Sequence, residues 1–257
     1  MRAVDDLLRA TADAEARHFW FHGFRAFVTP LVRKAVGGRT APRILDCGCG
    51  TGANLELLGR FGRAYGFDLS ETGLGIAREA GRRSVARGDV AAAPFRSATF
   101  DLVTSFDVLY SLEQQDERDA AAELFRLLKP GGLALVNVAA MPMLRGDHSI
   151  LARERRRYTR ASLRQLLEPA GFTIVRLTYT NASLFVLVAI VRGYHRLRGL
   201  SAEADAGQEI TVPPAPINGA LSALLSLEAL WTRAFDNPFG SSLLCLARKP
   251  DEGGVPR

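Results

Sequence analysis

Arg43-Ile44-Leu45-Asp46-Cys47-Gly48-Cys49-Gly50-Thr51-Gly52-Ala53-Asn54 decides how this chain folds. A short apolar strand runs into a glycine-dense turn, and the turn opens a helix. Three glycines at alternate positions let the main chain turn sharply and let a ligand approach it with no Cβ in the way. The helix that starts there offers free N–H groups to a polar ligand. Asp46 stands at the end of this strand, and Asp68 at the end of the next. Acids at successive strand ends around such a turn imply a nucleoside-type cofactor.

The glycine spacing narrows the choice. Gly-x-Gly-x-x-Gly would favour a dinucleotide, with its pyrophosphate on the helix N-terminus. Here the order is Asp46, Gly48, Gly50, Gly52, and an acid beside the turn suits a cationic ligand group better than a diphosphate. Asp68 lies about 20 residues beyond Gly48, where a ribose-binding acid belongs. These residues resemble the first motif of the class I S-adenosylmethionine-dependent methyltransferases, in a type 11-like group with bacterial small-molecule members. The resemblance implies that the glycine loop faces the methionine portion of S-adenosylmethionine. It also implies that Asp68 and Leu69 hold the ribose, that Asp89 accepts from the adenine amino group, and that Val90 offers a backbone N–H. Phe106 would back the cofactor.

Outward from the loop, strand and helix signals alternate. Apolar runs ending at Cys47, Phe67 and Arg87 read as three strands, 100–106 as a fourth and 133–138 as a fifth. Apolar residues at Ala120, Leu124, Leu127 and Leu128 give a helix over 119–128 one buried face, and Lys129-Pro130-Gly131-Gly132 stops it. Thr159 starts a capped helix, and strands follow over 172–179 and 242–247. The expected fold is α/β: a doubly wound, mostly parallel, seven-stranded Rossmann-like sheet. About 60 residues separate the last two strands, holding helical stretches over 183–197 and 218–235 and a proline-rich link over 201–216. The expected organisation is an N-terminal helical lid segment (1–40), a cofactor-binding core (41–180), a helical cap (181–241), and the final strand with its tail (242–257).

Composition limits the function. An apolar fraction of 47% supplies a core, and the net charge is +6, with arginine providing all but three of the 33 basic residues. Source nucleotide composition accounts for such a bias; a basic surface for an acidic ligand or lipid headgroup is the other reading. Three cysteines make no disulfide framework, and no Cys/His spacing suits zinc, so no metal is expected. Asp5 and Asp6 break any leader-like apolar run, and 182–191 falls short of the about 20 residues a bilayer demands. A soluble cytoplasmic protein is expected. No Asn-Pro-Pro-Tyr or Asp-Pro-Pro-Tyr motif follows the fourth strand, so nucleic acid is not the expected partner. A small-molecule substrate is, with homo-oligomerisation and peripheral membrane contact left open.

Methyl transfer is an in-line displacement in which alignment and exclusion of water supply much of the rate. The candidate base is His148, in the loop after the fifth strand. Tyr110 is placed to orient an acceptor, while Asp107 and Ser111 face the substrate side just past the fourth strand. Many relatives in the resembled family carry a histidine where Ser111 stands. Trp20, between His18 and His22, belongs to a helix staple or to a cover over the site. Arg156, in the run from 153 to 158, is a candidate clamp for a substrate anion, against the plainer reading of a solvated helix entrance. The resemblance continues through Asn181 and Asn237-Pro238-Phe239-Gly240. The expected reaction is methyl transfer to an oxygen or carbon of a small natural product, and the apolar stretch over 183–191 reads as core packing or as the lining for an apolar or prenylated substrate. The alternatives are a lipid-linked or polysaccharide acceptor at a membrane surface, and a non-catalytic cofactor-binding module.

Overall fold

The computed structural model describes residues 9, 11–142, 154–186 and 211–251. In chain order the elements are α1 (Phe19–Val36), β1 (Arg43–Cys47), α2 (Ala53–Gly59), β2 (Arg63–Asp68), α3 (Glu71–Glu79), β3 (Val85–Arg87) and β4 (Phe100–Phe106). They continue with a 3-10 turn (Leu109–Ser111), α4 (Gln114–Leu127), β5 (Leu128–Ala139), α5 (Arg160–Leu167), β6 (Thr173–Thr180), α6 (Ala215–Trp231) and β7 (Ser242–Arg248). The strands form one sheet in the order β3-β2-β1-β4-β5-β7-β6. The first five are parallel, and β7 runs antiparallel between β5 and β6. The mostly parallel seven-stranded Rossmann-like sheet read from the sequence is the fold observed.

Helices cover both faces, so central strands are apolar throughout rather than alternating. All seven residues of β4 are buried. Leu102 and Phe106 of β4, with Leu135 of β5 and Leu244 of β7, pack under α1, α2 and α6. Val103, Val136 and Cys245 point the other way, into a core closed by α4 and α5. On the first face α1 and α6 meet where Gly23 leaves room for Leu225. A Cβ on Gly23 would lie 2.3 Å from Leu225 Cδ1.

The structure adjusts several boundaries. The fifth strand begins at Leu128, not after the glycines. Phe100 pairs with Leu128 and Leu102 with Leu133, so residues 129–132 form a bulge inside the strand, with Gly131 at φ 69°. α4 starts five residues earlier than its apolar face suggests, because its first turn is polar and carries Asp116 and Glu117 at the positive end of the helix. Thr159 does cap α5: it accepts from Ser162 N while the Ser162 hydroxyl accepts from Thr159 N. Of the helical stretch at 183–197, residues 182–186 are helical and the rest lie outside the described residues. No described helix is long and apolar enough to cross a membrane.

Leu225 is fully buried and ties α6 to α1 and the sheet. Leu225→Ala should therefore cost about 2–5 kcal/mol in urea unfolding. A loss below half a kilocalorie would mean that α6 is not part of the cooperative core.

Candidate cofactor and acceptor site

The glycine loop is held by its neighbour strand. Gly48 N and Cys49 N both donate to Phe67 O, at 2.8 and 3.0 Å. Gly48 sits at φ 78°, and a Cβ there would come within 2.3 Å of Val108 Cγ2. Glycine is thus demanded by both backbone and space. Asp68, at the end of β2, accepts from Gly50 N through Oδ2 and from Ser70 N through Oδ1, each at 2.8 Å. Ser70 in turn caps α3 by accepting from Gly73 N.

These groups open onto a cavity of about 510 Å³ beyond the carboxyl ends of β1, β2 and β4, the place where doubly wound sheets bind ligands. Gly48, Gly50, Asp68, Leu69, Asp89 and Val90 line one side. Phe106, Asp107, Tyr110, Ser111 and Leu112 line another, and Trp20, Phe21 and Phe24 close over it from α1. Phe24 meets Phe106 edge-on at 5.0 Å between ring centres. His18 caps α1 by accepting from Trp20 N at 3.1 Å, which fixes where Trp20 leaves the helix. Asp89 accepts from Ala91 N at 2.9 Å, closing a turn while presenting its carboxylate to the cavity.

Two acids carry the electrostatics. Asp46 is 1% exposed and accepts from the Thr104 hydroxyl at 2.6 Å. Burial, opposed by that hydrogen bond and reinforced by the charge of Asp68, pushes its carboxyl up to about 7. A cation bound nearby would hold it ionised. Asp107 is clamped twice by Asn137 of β5: its N–H donates to Asn137 O and its Oδ1 accepts from Asn137 Nδ2, both at 3.0 Å. The clamp accompanies a φ of 61° at Asp107, a left-handed conformation that aspartate tolerates better than most non-glycine residues. Asp107 keeps accessible surface and lines the cavity. Enclosure raises its carboxyl, with Glu154 adding to the rise and Asn137 opposing it. Burial, then the charges of Asp107 and Glu154, raise the Tyr110 phenol well above its ordinary value, so Tyr110 stays protonated.

Most of the described residues singled out in the sequence meet at this cavity; three do not. Asp46 lies beneath the loop rather than on the wall. Gly52 is the left-handed N-cap of α2, φ 73°, and shapes the turn without lining the cavity. Arg156 is also away from it. Its guanidinium pairs with the buried Glu117 and donates to Leu112 O at 2.8 Å. A buried carboxylate needs such a partner, and Arg156 borders a separate surface hollow between α4 and α5. His148 falls outside the described residues. Three contributors carried little signal. Glu15, which accepts from Thr51 Oγ1 at 2.7 Å and joins the N-terminal segment to the glycine loop, had none. Phe24 had none beyond its apolar character. Asn137 could have been suspected as a lone amide in an otherwise apolar strand.

Residues 45–136 match the family described as methyltransferase domain. A probable S-adenosylmethionine-dependent methyltransferase of Mycolicibacterium smegmatis is 29% identical over 161 residues, 61% of this chain and 60% of the relative. The demethylmenaquinone methyltransferase of Lactococcus lactis subsp. lactis is 34% identical over 122 residues, covering 43% and 47%. A solved S-adenosylmethionine dependent methyltransferase from Mesorhizobium loti shares the fold with TM-score 0.53 at 20% identity, over 85% of this chain and 96% of that one. The chain spans 44–60% of the length of the first curated relatives it matches. The family match identifies a methyltransferase domain over residues 45–136, on a fold shared with solved S-adenosylmethionine-dependent methyltransferases.

Asp46→Asn keeps an oxygen for Thr104 while removing the charge. In wild type the folded state holds the Asp46 proton up to about pH 7, while the unfolded chain releases it near 3.8. The folded state therefore loses this contribution as pH rises between those values. In thermal melts the advantage of Asp46→Asn over wild type should grow from pH 5 to pH 8, on the order of 2–4 kcal/mol. In calorimetry at pH 8 the same variant should bind S-adenosylmethionine more weakly.

Proposed function

We propose that this protein transfers the methyl group of S-adenosylmethionine to an oxygen or carbon atom of a small, largely apolar acceptor. One observation carries the reading: a polar wall of glycine loop and acids and a wall of aromatic groups share a single cavity. Its volume of about 510 Å³ is within the range of small-molecule sites. S-adenosylmethionine, when bound, supplies an electrophilic methyl group on a sulfonium centre. Asp68 holds the ribose, the glycine loop faces the methionine end, Asp89 and Val90 hold the adenine, and Asp46 balances positive charge from below. Trp20, Phe21 and Phe24 exclude water from the reacting groups.

On the acceptor side, Asp107 takes up a proton from the attacking group, and Asn137 keeps its carboxylate aimed into the cavity. Tyr110, kept protonated, donates a hydrogen bond to the acceptor, and Ser111, whose hydroxyl donates to Val108 O at 2.7 Å, offers its lone pairs. The Lactococcus relative, named for a demethylated menaquinone, supports an apolar and prenylated acceptor.

The test is to incubate the protein with methyl-labelled S-adenosylmethionine and a low-mass cell extract. Label should enter an organic-soluble product in step with S-adenosylhomocysteine release. Label only in macromolecules, or S-adenosylmethionine bound without turnover, would count against the reading. With that product's acceptor in hand, Asp107→Asn should lower kcat by about 10²–10⁴-fold and abolish the rise of rate with pH. Affinity for S-adenosylhomocysteine should be unchanged.

A further inference from the structure

Helix α6 has two faces. Leu225 and Ala229 point into the core. Leu227, Leu230 and Trp231 project from the opposite side with relative exposures of 65, 52 and 56%, and Phe235, just past the helix, is 54% exposed. Trp231 and Phe235 stack at 4.4 Å, so two aromatic rings stand together in water. A large apolar stripe of this kind needs an occupant.

Its charge surroundings say which. Beside the stripe, and sharing Leu230 with it, lies a groove of about 410 Å³ lined by Arg25, Arg60 and Arg233. The acids nearby are already engaged. Glu56 pairs with Arg60 at 3.0 Å and Asp236 with Arg176 at 2.8 Å. Glu228, the one acid on α6, faces inward and accepts from Ala182 N, Ser183 N and Asn237 Nδ2. The surface is therefore apolar and aromatic along one line and cationic along the next. Arg25 belongs both to this groove and to the cofactor cavity, so the face adjoins the mouth of the site.

We propose that the α6 stripe and the adjoining arginine groove dock this protein on an anionic phospholipid bilayer, with Leu227, Leu230, Trp231 and Phe235 entering the headgroup boundary and Arg233 meeting lipid phosphate. Interfacial helices pair aromatic and aliphatic groups with basic side chains in this way. Delivery of the acceptor from the lipid to the cavity follows only if the proposed methyl transfer also holds.

The experiment uses the full chain and phosphatidylcholine vesicles with and without phosphatidylglycerol. The protein should sediment with the anionic vesicles alone and be released by salt. With Trp20→Phe making Trp231 the sole tryptophan, its emission should shift to the blue on binding. Arg233→Gln should weaken partitioning about fivefold, and Trp231→Ser should weaken it further. Failure to sediment, or equal binding to neutral vesicles, would overturn the proposal. So would Trp231 already shielded from acrylamide before lipid is added, or a dimer abolished by Trp231→Ser, since another part of the chain or a second copy would then own the face. Calorimetry with S-adenosylhomocysteine on the same variants separates the two readings. Retained binding shows that a failed bilayer test leaves methyl transfer untouched, and lost binding in wild type strikes methyl transfer alone.

Discussion

Asp68 receives Gly50 N on one carboxylate oxygen and Ser70 N on the other, and most of the site is arranged around that pair of hydrogen bonds. The first fixes the glycine loop after β1; the second fixes the entry to α3 after β2. Two adjacent strand ends are locked in register by one side chain, with Phe67 O adding two further bonds to the loop. A loop rich in glycine has high conformational freedom in the unfolded chain, and ordering it costs correspondingly more. Hydrogen bonds to a charged carboxylate are among the stronger ones available to offset that cost. The same ordered loop then carries Glu15 and the N-terminal segment through Thr51, and α1 places its aromatics over the cavity.

The acids beneath and beside the cavity make the ligand-free domain less stable than its core alone would allow. Asp46 is buried with one hydroxyl partner and near the negative Asp68, an arrangement unfavourable to its ionised form until a cation approaches. Asp107 stands in a left-handed conformation and is gripped by Asn137 from both main chain and side chain. Unpaired charge and a gripped carboxylate at one end of a sheet are what a preorganised site requires. The remainder of the sheet, with every residue of β4 buried, supplies the rigidity.

Much of this was legible in the chain. Strand ends, the glycine loop and Asp68 declare themselves because a parallel sheet imposes local rules: apolar runs, a sharp turn, an acid at a set distance. Asp89, Phe106, Asp107 and Tyr110 follow from those rules once the strands are placed. Asn137 and Glu15 were not legible, since each matters only through a neighbour far along the chain: Asp107 in one case, Thr51 in the other. The partner of Arg156 was hidden for the same reason. The arginine's run of charges looks outward until Glu117, 39 residues earlier, takes the guanidinium.

By itself the sequence determined the sheet, the loop and the kind of ligand group the loop admits, because these depend on backbone freedom and on hydrophobic periodicity within short windows. Only the tertiary structure decided which acids stand on the wall and which lie under it, that α1 closes over the cavity, and that α6 turns Leu227 and Trp231 outward. Those outcomes depend on packing between segments about 200 residues apart, such as Asn218 against Phe19 and Leu225 against Gly23. No local pattern records such a contact, because its energy belongs to the pair and not to either residue.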